Sequence, residues 1–125
     1  MARRRTGLTA AICTVLLAVT AWCAAPATAH SQLVRSDPRN ASVLHAAPDH
    51  ITLTFAARPA AVTVSVTDAA QRSIRQGKVR FSGRSVLAGL STKTPPGWFT
   101  VRYRARAVDG HVLTGTLKYR VRTLA

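Results

Sequence analysis

Residues 98–122, WFTVRYRARAVDGHVLTGTLKYRVR, contain two stretches in which apolar and basic residues alternate. Successive side chains of a β-strand point to opposite faces, so Val101, Tyr103 and Ala105 are predicted to face a core. The basic residues of both stretches are then predicted to form the solvent-facing sides of two amphipathic strands: Arg102, Arg104, Arg106, Lys118, Arg120 and Arg122. The sequence DG at 109–110 separates the stretches and is typical of a tight turn between paired strands.

The same period of two recurs upstream, and no stretch after residue 30 has helical spacing. Segments with strand character are separated by Pro, Gly and Asp, and turns are predicted at 37–40, 68–71 and 95–97. We therefore expect an all-β fold, a Greek-key β-sandwich or barrel of immunoglobulin-like architecture with about seven strands. Its bulky core residues would be Phe55, Trp98, Phe99 and Tyr103. The predicted strands cover residues 32–36, 51–55, 62–67, 77–82, 85–90, 98–107 and 113–122.

The first 29 residues have the features of an export signal. Arg3, Arg4 and Arg5 form a basic start, residues 8–22 are uncharged and mostly apolar, and Ala27-x-Ala29 supplies the small residues that signal peptidase requires. The apolar stretch is shorter than the roughly 20 residues that span a bilayer, which favours cleavage over an uncleaved anchor. We predict a signal peptide at 1–29, using either the general or the twin-arginine export route, and one domain at 30–125. The mature protein would be periplasmic or extracellular.

Cleavage after Ala29 would remove every sulfur atom from the chain, because Met1, Cys13 and Cys23 all precede it. The mature domain would keep 15 Lys and Arg residues against four Asp, a formal net charge of +11. Such a charge is compatible with nucleic-acid binding. The alternating pattern and the predicted export argue against that function, and they favour loose association with anionic surfaces of the cell envelope.

His30 would become the first residue of the mature protein. An N-terminal histidine offers its α-amine and its imidazole to one metal ion, and Cu(II) is the divalent ion that nitrogen donors favour most. Asp109 and His111, two residues apart, can present a carboxylate and an imidazole on one face of an extended segment. Taken alone, this triplet is more typical of an ordinary hairpin turn. Combined with His30, it predicts a Cu(II) site with three nitrogen donors and one oxygen donor.

These residues resemble the CopC family of copper-binding proteins of the bacterial envelope. The resemblance covers nearly the whole mature domain, in the segments at 29–30, 33–38, 47–48, 51–55, 96–101 and 108–115. It implies a seven-stranded sandwich that holds one Cu(II) per mature chain through the N-terminal amine and imidazole, an Asp and a second His. In this sequence those ligands correspond to His30, Asp109 and His111. It also implies delivery to a membrane copper permease of the CopD type.

The sequence departs from the family pattern in two ways. Members often have an acidic residue after the strand at 51–55, close to the copper, whereas this chain has FAAR at 55–58. The missing carboxylate and the positive Arg58 predict weaker Cu(II) binding. Some members also bind Cu(I) through methionines. With no methionine after Met1, this chain is predicted to bind Cu(II) only.

The predicted function is therefore a non-enzymatic, monomeric copper carrier in copper transport, homeostasis or resistance, with no nucleic-acid partner. One alternative is a copper-dependent oxidative enzyme, since lytic polysaccharide monooxygenases also use an N-terminal histidine. Another is a metal-free interaction domain. His45 and His50 are predicted to be surface or hydrogen-bonded residues, although a second, weak metal site at these residues is an alternative. Copper affinity should decrease as pH is lowered, because the amine and both imidazoles must be deprotonated to bind the metal.

Overall fold

A computed structural model describes residues 32–123, so the predicted signal peptide and His30 lie outside the described residues. The described chain contains only β-strands and the turns that join them. The strands are β1 (Leu33–Asp37), β2 (Ser42–Leu44), β3 (His50–Phe55), β4 (Ala61–Thr67), β5 (Arg75–Ser82), β6 (Ser85–Leu90), β7 (Gly97–Arg106) and β8 (Val112–Val121).

The strands form two four-stranded sheets, which confirms the predicted sandwich. The first sheet has the order β1-β3-β6-β5 and the second sheet the order β2-β8-β7-β4. All pairings are antiparallel except that of β2 with β8, which is parallel. The chain stays within one sheet only at the β5–β6 and β7–β8 hairpins, and every other connection crosses to the opposite sheet.

The core lies between the two sheets and is formed by the inward-facing residues of their central strands. The predicted alternation is confirmed in β3 and β7, and in β6 every second residue is buried as well. Phe99 stacks on Tyr119 with 5.2 Å between ring centroids, and Phe55 meets Tyr103 edge to face at 6.0 Å. These two pairs fill the centre of the sandwich, where aromatic rings bury much apolar surface.

Two details of the prediction were wrong. The eighth strand, β2, was missed because its three residues carry no recognisable period, and only its register against Tyr119–Val121 of β8 defines it. Trp98 was expected in the core, but its side chain is 45% exposed and points out of the second sheet beneath the Arg120 guanidinium. Its neighbour Phe99 occupies the inward position, since adjacent residues of a strand face opposite ways.

Candidate metal site

The candidate site is the turn between β7 and β8, residues 107–111. The turn is closed by two backbone hydrogen bonds, from Ala107 N to His111 O at 2.8 Å and from Gly110 N to Ala107 O at 3.0 Å. Gly110 has a φ of +90°, a conformation that side chains with a Cβ rarely adopt. The glycine therefore allows the reversal that brings its two neighbours together.

Asp109 and His111 contact each other within this turn. The His111 backbone N–H donates to Asp109 Oδ1 at 3.0 Å, and His111 Nδ1 lies 2.8 Å from Asp109 Oδ2. Both side chains are at least half exposed. The predicted convergence of the carboxylate and the imidazole is thus present, and in this arrangement both carboxylate oxygens are directed to His111.

The loop between β3 and β4, residues 56–60, lies beside the turn. Its Ala60 N–H donates to the carbonyl of Arg106, the last residue of β7, at 2.8 Å. The loop contains one charged residue, the exposed Arg58, and no carboxylate. The loop therefore supplies no acidic group to this end of the sandwich.

The N-terminal end of the described chain reaches the same end of the sandwich. Leu33 pairs with Phe55 across β1 and β3, and Ala56 N donates to the carbonyl of Gln32 at 2.8 Å. The loop at 56–60 thus bonds to Gln32 at one end and to Arg106 at the other. Through this loop, Gln32 and the Asp109–His111 turn lie at the same end of the sandwich.

The other two histidines lie at the opposite end. His50 begins β3, whereas Phe55 at the end of β3 lies by Gln32, and the length of the strand separates them by roughly 17 Å. His50 Nδ1 is 2.5 Å from Asp49 Oδ1, which confirms the predicted hydrogen-bonded surface histidine. His45 is also exposed. Within residues 32–123, no three His, Cys, Asp or Glu side chains form a group that could hold a metal ion.

Two exposed apolar residues border the candidate site and were not predicted. Val108 is 85% exposed in the turn, and Val112 is 47% exposed at the start of β8. A signal was present in the sequence, since each valine directly flanks the Asp109–His111 segment at a position that a solvated turn would fill with a polar residue. The pair therefore has one exposed valine on each side along the chain.

The chain belongs to the CopC family, because the family model for the CopC domain matches residues 33–122. This confirms the resemblance seen in the sequence, and family membership supports a function related to copper. Among curated proteins the comparison finds no match. Over the described residues, no helix is both long and apolar enough to cross a bilayer.

Two solved structures share the fold. CopC from Methylosinus trichosporium OB3b is 23% identical with a TM-score of 0.65, and the match covers 77% of this chain and 97% of that one. PcoC, a methionine-rich copper resistance protein from Escherichia coli, is 24% identical with a TM-score of 0.63, covering 75% and 100% respectively. At these identities, the likeness establishes the architecture of the sandwich.

Proposed function

We propose that this protein is an exported copper carrier that binds one Cu(II) per mature chain. The ligands are the α-amine and imidazole of His30 and the imidazole of His111, with Asp109 as the anionic partner. The protein works as a monomer in the periplasm or outside the cell and passes copper to a membrane permease of the CopD type. The function is binding and transfer, without catalysis.

The observation that carries this proposal is the Asp109–His111 contact at the end where the domain begins. His30 precedes Gln32 by two residues, so covalent geometry holds it within about 7 Å of Gln32. The loop at 56–60 forms hydrogen bonds both to Gln32 and to Arg106, the residue just before the turn at 107–111. A free amine and imidazole at position 30 therefore start close to the end of the sandwich that carries His111.

The donor chemistry of the pair fits Cu(II). Because Asp109 Oδ2 lies against Nδ1 of His111, the metal-binding role falls to Nε2. Carboxylates that hold one ring nitrogen of a histidine fix its orientation and raise the basicity of the other nitrogen. The imidazole and amine nitrogens are donors that Cu(II) favours, with the Asp109 carboxylate orienting the His111 ring.

The available donor groups also determine how tightly copper binds and in which oxidation state. The residues near the site include Arg58 but no second carboxylate from the loop at 56–60, so one anionic group balances the charge of the ion. The processed chain would contain no thiolate or thioether, the ligands that select Cu(I). In this respect it differs from the methionine-rich PcoC, and the proposed cargo is Cu(II).

The test is a Cu(II) titration followed by electron paramagnetic resonance on two forms of the protein. One form begins at His30 and the other has a single extra residue ahead of it, which converts the α-amine into a peptide nitrogen. We expect one-to-one binding with nitrogen hyperfine structure in the first form and much weaker binding in the second. Equal binding by both forms would exclude the N-terminal amine as a ligand.

A matched pair of histidine variants completes the test. His111→Ala should abolish tight binding, whereas His50→Ala should leave it unchanged, because His50 forms a similar Asp–His contact at the opposite end of the domain. Equal effects of the two substitutions would contradict the proposal. Thermal unfolding of both variants without copper checks that each retains the fold.

A further inference from the structure

The outer face of the second sheet carries a concentration of positive charge that the copper site does not use. We call it the basic face, and it consists of five exposed residues of β7 and β8 and the exposed residue that follows β8: Arg102, Arg104, Arg106, Lys118, Arg120 and Arg122. No acidic residue occurs in β4, β7 or β8, the three strands that span this face. The face therefore has a single sign of charge over its whole extent.

The register shows how the sheet accommodates this charge. Arg102 and Arg104 of β7 pair with Thr116 and Thr114 of β8, so no two cations lie directly opposite each other. Like charges at opposed positions would destabilise the sheet. From the Arg106 pair to the Arg120 pair the charges extend over roughly 27 Å of strand. They are spread over a surface instead of following a groove.

Hydroxyl groups fill the positions between the arginines. A shallow depression of about 560 Å³ lies on the face, and the exposed polar residues that line it are Thr63, Ser65, Arg102, Arg104, Thr114 and Thr116. Guanidinium groups and hydroxyl donors together are the usual partners of phosphate oxygens. The depression is thus suited to an anionic phosphate group.

Two apolar side chains project from opposite ends of the same face. Trp98 pairs with Arg120 near one end, and Val112 pairs with Arg106 at the other. Their side chains are 45% and 47% exposed. Tryptophan is enriched where proteins meet the bilayer interface, since its ring is apolar while its N–H remains hydrated.

We propose that the basic face binds the surface of a bilayer containing anionic phospholipids. The charge complementarity, the shallow depression lined by guanidinium and hydroxyl groups, and the exposed indole fit a flat, two-dimensional partner better than a single strand of nucleic acid, which would follow a groove lined by several aromatic rings. Arg106 and Val112 directly flank the turn at 107–111. Binding would hold Asp109 and His111 beside the lipid surface. The proposal is independent of metal binding.

The test is co-sedimentation with phosphatidylcholine vesicles, with and without phosphatidylglycerol, in metal-free buffer. It uses the chain as recovered after export, with its mass measured. Wild type is first compared with a triple variant of the basic face, Arg102→Thr/Arg104→Thr/Arg106→Thr. The control is a triple variant of equal net charge in and beside β5, Lys78→Thr/Arg80→Thr/Arg84→Thr. Since one surface cation contributes roughly a fivefold gain in partitioning, the first variant should bind anionic vesicles roughly a hundredfold more weakly. The second should bind nearly as wild type.

Tryptophan emission gives a second measurement, because Trp22 and Trp98 are the only tryptophans and Trp22 precedes the predicted cleavage site. A blue shift on anionic vesicles, absent on phosphatidylcholine alone, is expected.

Equal losses of vesicle binding in the two triple variants would show that only net charge matters and would overturn the proposal. Equal binding to both vesicle types would overturn it too, and so would tight binding to soluble dextran sulfate without binding to vesicles. Circular dichroism confirms that each variant is folded.

Discussion

The side chain of Tyr103 occupies the space in which any residue other than glycine at position 115 would carry its Cβ. The two residues are paired across β7 and β8, and a Cβ built on Gly115 would overlap the Tyr103 hydroxyl and ring. The ring is held from the other side by its edge-to-face contact with Phe55. Gly115 thus permits the packing of a core aromatic residue in the hairpin that carries Asp109 and His111.

Gly115→Ala is expected to destabilise the domain by about 1–3 kcal/mol, because Tyr103 must leave its packed position. Chemical denaturation measures the loss. Tyr103→Leu provides the matched background, since its shorter side chain leaves room for the Cβ. In that background Gly115→Ala should cost much less, and additive losses in the double variant would show that the overlap is not the cause.

The Arg75 guanidinium joins the two sheets at their open edges. Arg75 lies on β5, the edge of the first sheet, and its Nε donates to the Val64 carbonyl of β4, the edge of the second, at 3.1 Å. It also donates to the carbonyls of Gln76, Gly77 and Gly89. Unpaired carbonyls of edge strands are sites for aggregation, and here one side chain occupies several of them.

Arg75→Met should lower stability by about 2 kcal/mol through the lost charged hydrogen bonds and should increase aggregation at high protein concentration. Arg80→Met on the same strand is the control, and its effect should stay within about 0.5 kcal/mol because Arg80 is exposed. Denaturation curves and light scattering measure both effects. Similar behaviour of the two variants would show that Arg75 has no special role.

The sequence predicted most of this fold because the alternation of apolar and polar residues along β3 and β7 reports burial directly. It could not predict β2, whose pairing depends on a distant strand. The exposure of Trp98 could have been predicted, because the alternation that places Val101, Tyr103 and Ala105 inward also places Phe99 inward and Trp98 outward. At the site, the spacing of Asp109 and His111 predicted that their side chains converge, which the structure shows. Their direct contact depends on the turn conformation of Gly110.

Tyr119 places a hydroxyl in the core. Its ring stacks on Phe99, and among residues 32–123 its hydroxyl has no hydrogen-bond partner. Burial raises the pKa of Tyr119 from 10.0 to about 12. The unfolded chain therefore releases this proton at a lower pH than the folded chain. Ionisation of Tyr119 leaves the free energy of unfolding unchanged below pH 10 and lowers it as pH rises toward 12.

Tyr119→Phe should leave stability at pH 7 unchanged or raise it by up to about 1 kcal/mol, because an unpaired buried hydroxyl is removed without loss of ring packing. Above pH 10 the variant should lose less stability than wild type. Urea denaturation at several pH values measures the difference. A clear loss of stability at pH 7 would mean that the hydroxyl is hydrogen-bonded in solution.

The contact between Asp109 and His111 raises two possible roles for Asp109, which can be separated by substitution: orienting the His111 imidazole or binding the metal directly. An asparagine at 109 can still accept the His111 backbone N–H through its Oδ1, but it lacks the negative charge that holds Nδ1. If Asp109 orients the imidazole, Asp109→Asn should lower Cu(II) affinity by roughly ten- to a hundredfold. The nitrogen hyperfine pattern should be retained, because the nitrogen ligands stay in place. Competition titration and electron paramagnetic resonance measure the two quantities.

Asp49→Asn is the control for this substitution, because it removes the same charge from the Asp49–His50 contact at the far end of the domain. Its copper affinity should equal that of wild type. An altered spectrum with Asp109→Asn would instead identify the Asp109 carboxylate as a direct ligand, which would require its oxygens to turn from His111 toward the metal when copper binds. Unchanged affinity in both variants would remove Asp109 from the site and leave nitrogen donors alone to hold the ion.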